Sequence, residues 1–103
     1  MRVQNFISGQ WVEAHTGQIF SSINPANEEL VAEVAQSDAR DVDAAVEAAS
    51  KAYENWRLTP APKRGEILFR IGQLLLEKKE ELAQLLTREM GKVIAEARGD
   101  VQE

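Results

Sequence analysis

The sequence predicts an α+β chain in which an N-terminal β-hairpin and other short strands precede two or three helices. Two observations support this fold class. In the first third of the chain, β-prone runs alternate with turn-forming residues. From Ser37-Asp38 onwards, the spacing of apolar residues changes from two to about 3.6 residues. We therefore expect strands between about residues 2 and 35, and helices over about 38–57 and 60–103.

The predicted strands come in two pairs. Ser8-Gly9 is a two-residue break that suits a tight hairpin between the first pair. Asn24-Pro25-Ala26-Asn27 is rich in turn formers and separates the second pair. The four predicted strands are residues 2–7, 10–14, 19–23 and 29–35.

The first helix has a recognisable beginning. Ser37 or Asp38 can accept the free N–H groups of a helix N-terminus, and Asp41 lies where the helix dipole favours a negative charge. The segment 58–62 ends this helix and begins the next one, because proline is tolerated only in a first helical turn.

The remaining helical region has two points where it can break. Residues 60–90 form one helix or two, since Gly72 and the polar residues 77–81 allow a bend. Gly91-Lys92 then marks a reorientation before helical spacing resumes. No glycine cap or proline follows the last helix, so we expect the native chain to continue beyond Glu103. A frayed terminus is the alternative.

Composition excludes several classes of function. The 103 residues are 44% hydrophobic and 28% charged, an ordinary globular balance. The net charge is −5 and the basic residues are dispersed, which argues against nucleic acid and anionic membranes as partners. There is no cysteine, so no disulfide or thiol nucleophile is possible within these residues. No apolar run approaches the roughly 20 residues of a membrane span, and we expect a cytoplasmic protein.

No catalytic group or nucleotide motif is recognisable. His15, the only histidine, is expected to be a surface loop residue. Gly91-Lys92 lacks the other residues of a P-loop, and there is no G-x-G-x-x-G. Trp11 and Trp56 are expected to lie in the core rather than to form ligand platforms. The sequence therefore predicts no catalytic and no cofactor-binding residue.

A set of linked motifs runs through the chain. They are Asn5-Phe6-Ile7-Ser8-Gly9-Gln10-Trp11-Val12, Ile23-Asn24-Pro25-Ala26, Asp41-Val42-Asp43-Ala44-Ala45-Val46, Trp56, residues 64–68, Glu81-Leu82, Glu89-Met90-Gly91-Lys92 and Glu96-Ala97-Arg98-Gly99. In this order and at this spacing, they resemble the N-terminus of the aldehyde dehydrogenase superfamily. The resemblance covers essentially the whole chain.

The resemblance implies a larger protein with the α/β aldehyde dehydrogenase fold. Residues 1–103 would be an N-terminal segment that packs on the nucleotide-binding domain, with the catalytic domain absent. The implied reaction is oxidation of an aldehyde to a carboxylic acid with NAD or NADP, through attack by a cysteine thiolate and hydrolysis assisted by a glutamate. Those residues lie outside this chain, which is expected to be inactive alone. The parent is expected to be a homo-oligomer, a dimer or a tetramer.

The resemblance also suggests a substrate class and a cation site. Residues 87–92 look like those of members that act on semialdehydes. Many members bind a structural Na⁺ or K⁺, and the matching positions here are Ser22, Ile23 and Glu89. Backbone and carboxylate oxygens suit such cations. The best-known sites have aspartate where this chain has glutamate. Glu89 would therefore bind the cation directly, through a water molecule or not at all. Alternatively, Glu89 is an ordinary carboxylate near the end of a helix.

A second hypothesis belongs to another class of function. The chain would be a non-catalytic interaction module that has kept the fold of this segment. The reading frame after Glu103 distinguishes the two hypotheses, because a downstream cysteine in a catalytic domain supports the enzyme and a stop codon supports the module.

Overall fold

A computed structural model describes all residues from Met1 to Glu103 and divides the chain into two compact units. The first unit contains Met1–Ser22 and Leu30–Thr59, and the second contains Ile23–Glu29 and Pro60–Glu103. The elements are β1 (Arg2–Val3), β2 (Asn5–Ile7), β3 (Gln10–Val12), β4 (Ile19–Ile23), β5 (Leu30–Ala35), α1 (Ala39–Trp56), α2 (Ala61–Glu77), α3 (Lys79–Met90) and α4 (Ile94–Gln102). The predicted order of strands followed by helices is confirmed.

The first unit contains a three-stranded sheet in the order β1-β5-β4. β1 is parallel to β5, with Arg2 opposite Glu33 and Val3 opposite Val34. The backbone N–H of Glu33 donates to the carbonyl of Met1 at 2.9 Å. The single strand expected over residues 2–7 is therefore interrupted at Gln4, because the chain leaves this sheet there to form the hairpin.

The hairpin β2–β3 is the second sheet of this unit. Its register places Phe6 opposite Trp11, and the two ring centroids are 4.8 Å apart. Ser8 and Gly9 have φ values of 53° and 76°. Positive φ at both central residues is characteristic of a type I′ turn, whose twist matches that of the strands it joins. The predicted hairpin at Ser8-Gly9 is confirmed.

α1 begins with a capping box. The Asp38 side chain accepts from the backbone N–H of Arg40, and the Asp41 side chain accepts from the backbone N–H of Asp38, both at 2.9 Å. These bonds satisfy N–H groups that a helix N-terminus otherwise leaves unpaired. β2 packs against this helix. The predicted start at Ser37-Asp38 is therefore correct, with Asp38 as the cap.

The two tryptophans differ from expectation. Trp11 is 65% exposed and Trp56 is 39% exposed, so neither lies in a core of this chain. Trp11 lies on the short hairpin, where its aromatic partner Phe6 is itself 60% exposed. Trp56 is the last residue of α1 and lines an open groove with Ala52 and Tyr53. Too little of the first unit surrounds either ring to bury it.

The second unit is helical apart from the turn at Ile23–Glu29. The region expected over residues 60–103 contains three helices. Lys78 separates α2 from α3, and Gly91, in the left-handed conformation, ends α3. Val93 is extended and precedes α4. Ala83 of α3 and Ala97 of α4 are both 0% exposed, and small side chains such as these allow two helices to approach closely.

The buried core is small. The buried hydrophobic residues are Ala14, Val31, Ala32, Ala35, Ala83 and Ala97. No large side chain is fully buried, and α2 contains no buried residue although it is rich in leucine and isoleucine. None of the four helices combines the length and the hydrophobicity that a membrane span requires. The apolar faces of the helices are therefore largely uncovered.

Candidate functional site

The residues predicted to bind a cation lie at the end of a strand and near the end of a helix. Ser22 and Ile23 are the last two residues of β4, where Ser22 is half-buried and the Ile23 side chain is 52% exposed. Glu89 is exposed and is the penultimate residue of α3. The ion pairs of the structure do not include Glu89. Its carboxylate is therefore not committed to a basic side chain.

The segment after Ile23 is a closely bonded turn. The Asn24 carbonyl accepts from the backbone N–H of Glu28 at 2.8 Å, and the Asn24 N–H donates to the Glu29 carbonyl at 2.9 Å. The Asn24 side-chain oxygen also accepts from the Ala26 N–H at 2.9 Å. These three bonds hold the residue that follows Ile23 in a defined orientation.

This turn contacts the end of α3 within the second unit. Gly91 caps the helix with φ 77°, and its N–H donates to the Thr87 carbonyl at 2.9 Å. A Cβ atom added to Gly91 would lie 2.9 Å from Cγ of Pro25. The structure thus brings together the segments that carry Ile23 and Glu89. The sequence shows the Asn-Pro turn and the Gly-Lys pair separately but gives no sign that they touch.

The chemistry of the donor set fits a hard monovalent cation. Backbone carbonyls at a strand end and one carboxylate at a helix end provide oxygen ligands only. No group of three or more histidine, aspartate or glutamate side chains converges anywhere in the chain, so the predicted site depends on backbone carbonyls. The assignment of Ser22, Ile23 and Glu89 stays a prediction.

The second unit also presents an apolar groove. Its lining combines leucines and a valine of α2, α3 and α4 with three acidic residues, and its volume is about 480 Å³. The lining residues are Leu75, Leu82, Leu85, Leu86, Glu89, Asp100, Val101 and Glu103. Such a surface suits the docking of another apolar element better than it suits catalysis.

Polar contacts join α4 to α3. The Arg98 guanidinium donates to both carboxylate oxygens of Glu80 at 2.8 Å, and the Gln84 amide donates to Glu80 at 3.1 Å. Hydrogen bonds from Arg98 and then Gln84 lower the pKa of Glu80 to about 2. Lys92, just before α4, pairs with Asp100, and this partner raises the pKa of the lysine. These groups are committed to one another rather than arranged around a reacting atom.

His15 is held in place through its backbone. It is exposed in a turn, as expected, and its backbone N–H donates to a carboxylate oxygen of Asp41 at 2.8 Å. Asp41 is the one buried polar residue, with 8% exposure. The bond ties the turn to the N-terminus of α1. Sequence spacing does not reveal it, because the two residues are 26 positions apart.

Comparisons with known proteins identify the family. The model of the aldehyde dehydrogenase family matches residues 11–103. A malonate-semialdehyde dehydrogenase of Bacillus pumilus is 49% identical over 100 residues, which are 97% of this chain and 21% of the relative. The crystal structure of an Escherichia coli NADP-dependent enzyme has a TM-score of 0.95 at 37% identity, over 98% of this chain and 21% of that one.

A second solved structure agrees. The NAD-dependent aldehyde dehydrogenase from Sinorhizobium meliloti has a TM-score of 0.94 at 33% identity, over 99% of this chain and 21% of that one. The chain thus spans about a fifth of the length of the relatives it matches. The α+β arrangement described above is a part of their α/β fold. The chain belongs to the aldehyde dehydrogenase family.

Proposed function

We propose that this chain is the N-terminal structural segment of an NAD(P)-dependent aldehyde dehydrogenase. One observation carries the proposal: nearly the whole chain aligns with relatives named as aldehyde dehydrogenases, yet it covers only 21% of their length. The chain has no cysteine, and no group of three or more histidine, aspartate or glutamate side chains in the structure could hold a metal ion. The chemistry therefore belongs to residues outside this segment.

The proposed reaction oxidises an aldehyde to a carboxylic acid. A cysteine thiolate would add to the carbonyl carbon, and the resulting thiohemiacetal would lose a hydride and become a thioester. NAD or NADP supplies the hydride acceptor when bound. A glutamate would remove a proton from water, which attacks the thioester and releases the acid and the thiol. Residues 1–103 contribute none of these groups and are inactive alone.

A semialdehyde is the proposed substrate class. The Bacillus pumilus relative is named for malonate semialdehyde, and it is 49% identical to this chain. The run from Thr87 to Lys92 resembles that of members that act on semialdehydes. A carboxylate-bearing aldehyde therefore belongs first in any substrate panel, and both NAD and NADP belong beside it.

The proposed role of this chain is to support the rest of the enzyme. The uncovered apolar side chains of α2 and the groove between α2, α3 and α4 would pack on the nucleotide-binding domain. Their burial would add to stability, at roughly 25 cal/mol for each Å² of apolar surface removed from water.

Two further features are proposed for the parent protein. It would be a homo-oligomer, and it would hold a Na⁺ or K⁺ ion at Ser22, Ile23 and Glu89.

The test is an assay of the protein as it is encoded, including any residues beyond Glu103. We expect reduced cofactor to form with malonate semialdehyde and with NAD⁺ or NADP⁺, and none to form with residues 1–103 alone. No reduced cofactor with any aldehyde and either cofactor would contradict the proposal. A stop codon directly after Glu103 would instead support the non-catalytic module.

A further inference from the structure

We propose that Gly91 is a positioning residue: its missing side chain lets Pro25 pack on the end of α3 and so fixes the spacing between the strand end at Ile23 and the helix end at Glu89. This inference rests on the cation site proposed above. It concerns a residue that would not bind the cation itself.

The contact leaves no room for a larger residue. A Cβ atom on Gly91 would lie 2.9 Å from Cγ and 3.9 Å from Cβ of Pro25. Carbon atoms at optimal separation are about 3.5–4.0 Å apart. The pyrrolidine ring closes on its own backbone, so Cγ cannot rotate away as the end of a flexible side chain does. Any added side chain must therefore displace the turn or the helix end.

Gly91 differs in this respect from every other glycine of the chain. Gly9 has almost the same backbone conformation, with φ 76° against 77°, but a Cβ there would meet nothing within 4 Å. Gly17 is also left-handed and open, and the three remaining glycines are open with ordinary φ. The left-handed conformation alone explains why glycine is favoured at positions 9 and 17. At Gly91, the close approach of Pro25 is a second requirement.

Displacement at this contact would reach two of the three proposed ligands, Ile23 and Glu89. On one side, the three hydrogen bonds around Asn24 tie Pro25 to the residue that follows Ile23. On the other, the bond from Gly91 to Thr87 spans the helical turn that contains Glu89. A local shift of either segment would strain these hydrogen bonds. The distance between the carbonyl of Ile23 and the carboxylate of Glu89 would therefore change.

The packing part of the inference is tested by a double-mutant cycle in the protein as it is encoded. The variants are Gly91→Ala, Pro25→Ala and the double variant, with Gly9→Ala as the matched control for backbone strain. We expect Gly91→Ala to lower the Tm more than Gly9→Ala does. We also expect this loss to shrink in the Pro25→Ala background, because that change removes Cγ. An equal loss in both backgrounds would show that only the backbone conformation matters and would overturn the inference.

The cation part has its own readout. We expect the Tm to rise when choline chloride is replaced by NaCl or KCl at equal ionic strength, and Glu89→Gln to abolish the rise. Gly91→Ala should reduce this rise in Tm, and the double variant Gly91→Ala/Pro25→Ala should recover part of it. Gly9→Ala should leave the rise in Tm unchanged. If the Tm of the unmodified protein does not rise with NaCl or KCl, the proposed cation site is wrong, even where the double-mutant cycle shows coupling between Gly91 and Pro25. If the rise persists in full in Gly91→Ala, the positioning role is wrong.

Discussion

Asp41 shows how one side chain can organise the first unit. Its two carboxylate oxygens accept from different backbone N–H groups, Oδ1 from His15 at 2.8 Å and Oδ2 from Asp38 at 2.9 Å. A carboxylate at a helix N-terminus also interacts favourably with the helix dipole. Because the residue is only 8% exposed, few water molecules are available to replace these bonds. The residue therefore serves as a cap and as a tether for the turn at His15.

We predict that Asp41→Asn destabilises the protein by about 1–3 kcal/mol, the usual cost of leaving a buried polar group unsatisfied. The amide oxygen replaces one acceptor, but the NH₂ group then faces an N–H donor. Chemical denaturation measures the change. Asp43→Asn is the matched control, because Asp43 is exposed on the same helix. Equal effects of the two substitutions would show that the two hydrogen bonds do not contribute.

Only the local contacts in this arrangement were predictable from the sequence. The sequence predicted a cap at Ser37 or Asp38 and a favourable position for the charge of Asp41, because these groups are neighbours in the chain. The bond to His15 and the contact between Pro25 and Gly91 join distant residues. They exist only after the chain has folded, and a single sequence carries no record of them.

At the scale of elements, α3 and α4 are held by two different kinds of contact. Ala83 and Ala97 are completely buried, which indicates close packing of small side chains. In addition, the Glu80–Arg98 ion pair and the hydrogen bond from Lys79 to Gln102 join polar side chains of the two helices. Arg98 binds Glu80 through two parallel hydrogen bonds, the geometry that a guanidinium provides and an ammonium does not.

This pair predicts a dependence on pH. The pKa of Glu80 is lowered to about 2 from 4.5, so its contribution to stability is present above pH 4.5 and is lost as the pH falls towards 2. Arg98→Gln should move the pKa of Glu80 back towards 4.5, which an NMR titration of the side-chain carboxyl measures. The Glu47 carboxyl, whose pKa is lowered by Lys51 on α1, should be unaffected. An unchanged Glu80 titration would contradict the role of Arg98.

The hairpin turn permits a stabilising substitution. Ser8 has φ 53°, a conformation that costs most residues roughly 1–2 kcal/mol and that asparagine tolerates better. We predict that Ser8→Asn recovers a fraction of this cost, because Asn-Gly is the favoured pair in type I′ turns. Thermal denaturation should show a higher Tm. Ser50→Asn on α1 should give no increase, and a similar gain at both positions would contradict the explanation.

The type of each element was predictable from the sequence, but only some of the element boundaries were. The change of period at Ser37-Asp38 separates the strands from the helices correctly, since each structure imposes its own spacing on apolar residues. The division of residues 2–7 into β1 and β2 depends on which strands they pair with, and pairing is a long-range property. Likewise, the sequence allows a break near residues 77–81, but only the folded backbone places it at Lys78.

At the scale of the whole molecule, the exposed apolar residues are the dominant feature. Phe69, Leu68 and Leu76 of α2 are 71%, 64% and 53% exposed. Single exposed apolar residues are common in proteins, but a leucine-rich helix with no buried residue is not. In the proposed full-length enzyme, whose relatives are about five times as long as this chain, these side chains would contact the remainder of the protein.

We therefore predict that residues 1–103, produced alone, bind a hydrophobic dye and self-associate. Dye fluorescence and sedimentation velocity measure these properties, and the protein as it is encoded should show neither dye binding nor aggregation. If the isolated chain is monomeric, folds cooperatively and does not bind the dye, its apolar faces do not need to be buried by other residues.

Substitution of Phe69 on α2 links this behaviour to the proposed packing. Phe69→Glu should reduce dye binding and self-association in the isolated chain, because it places a charge in the exposed apolar face. In the protein as it is encoded, the same change should destabilise by at least about 3 kcal/mol, since truncating a buried phenylalanine alone costs about that much. Arg70→Gln, which makes the same change in charge at an exposed position outside the groove that Phe69 lines, should be nearly neutral in both. If Phe69→Glu is also neutral in the encoded protein, this part of α2 is not covered by the rest of the enzyme.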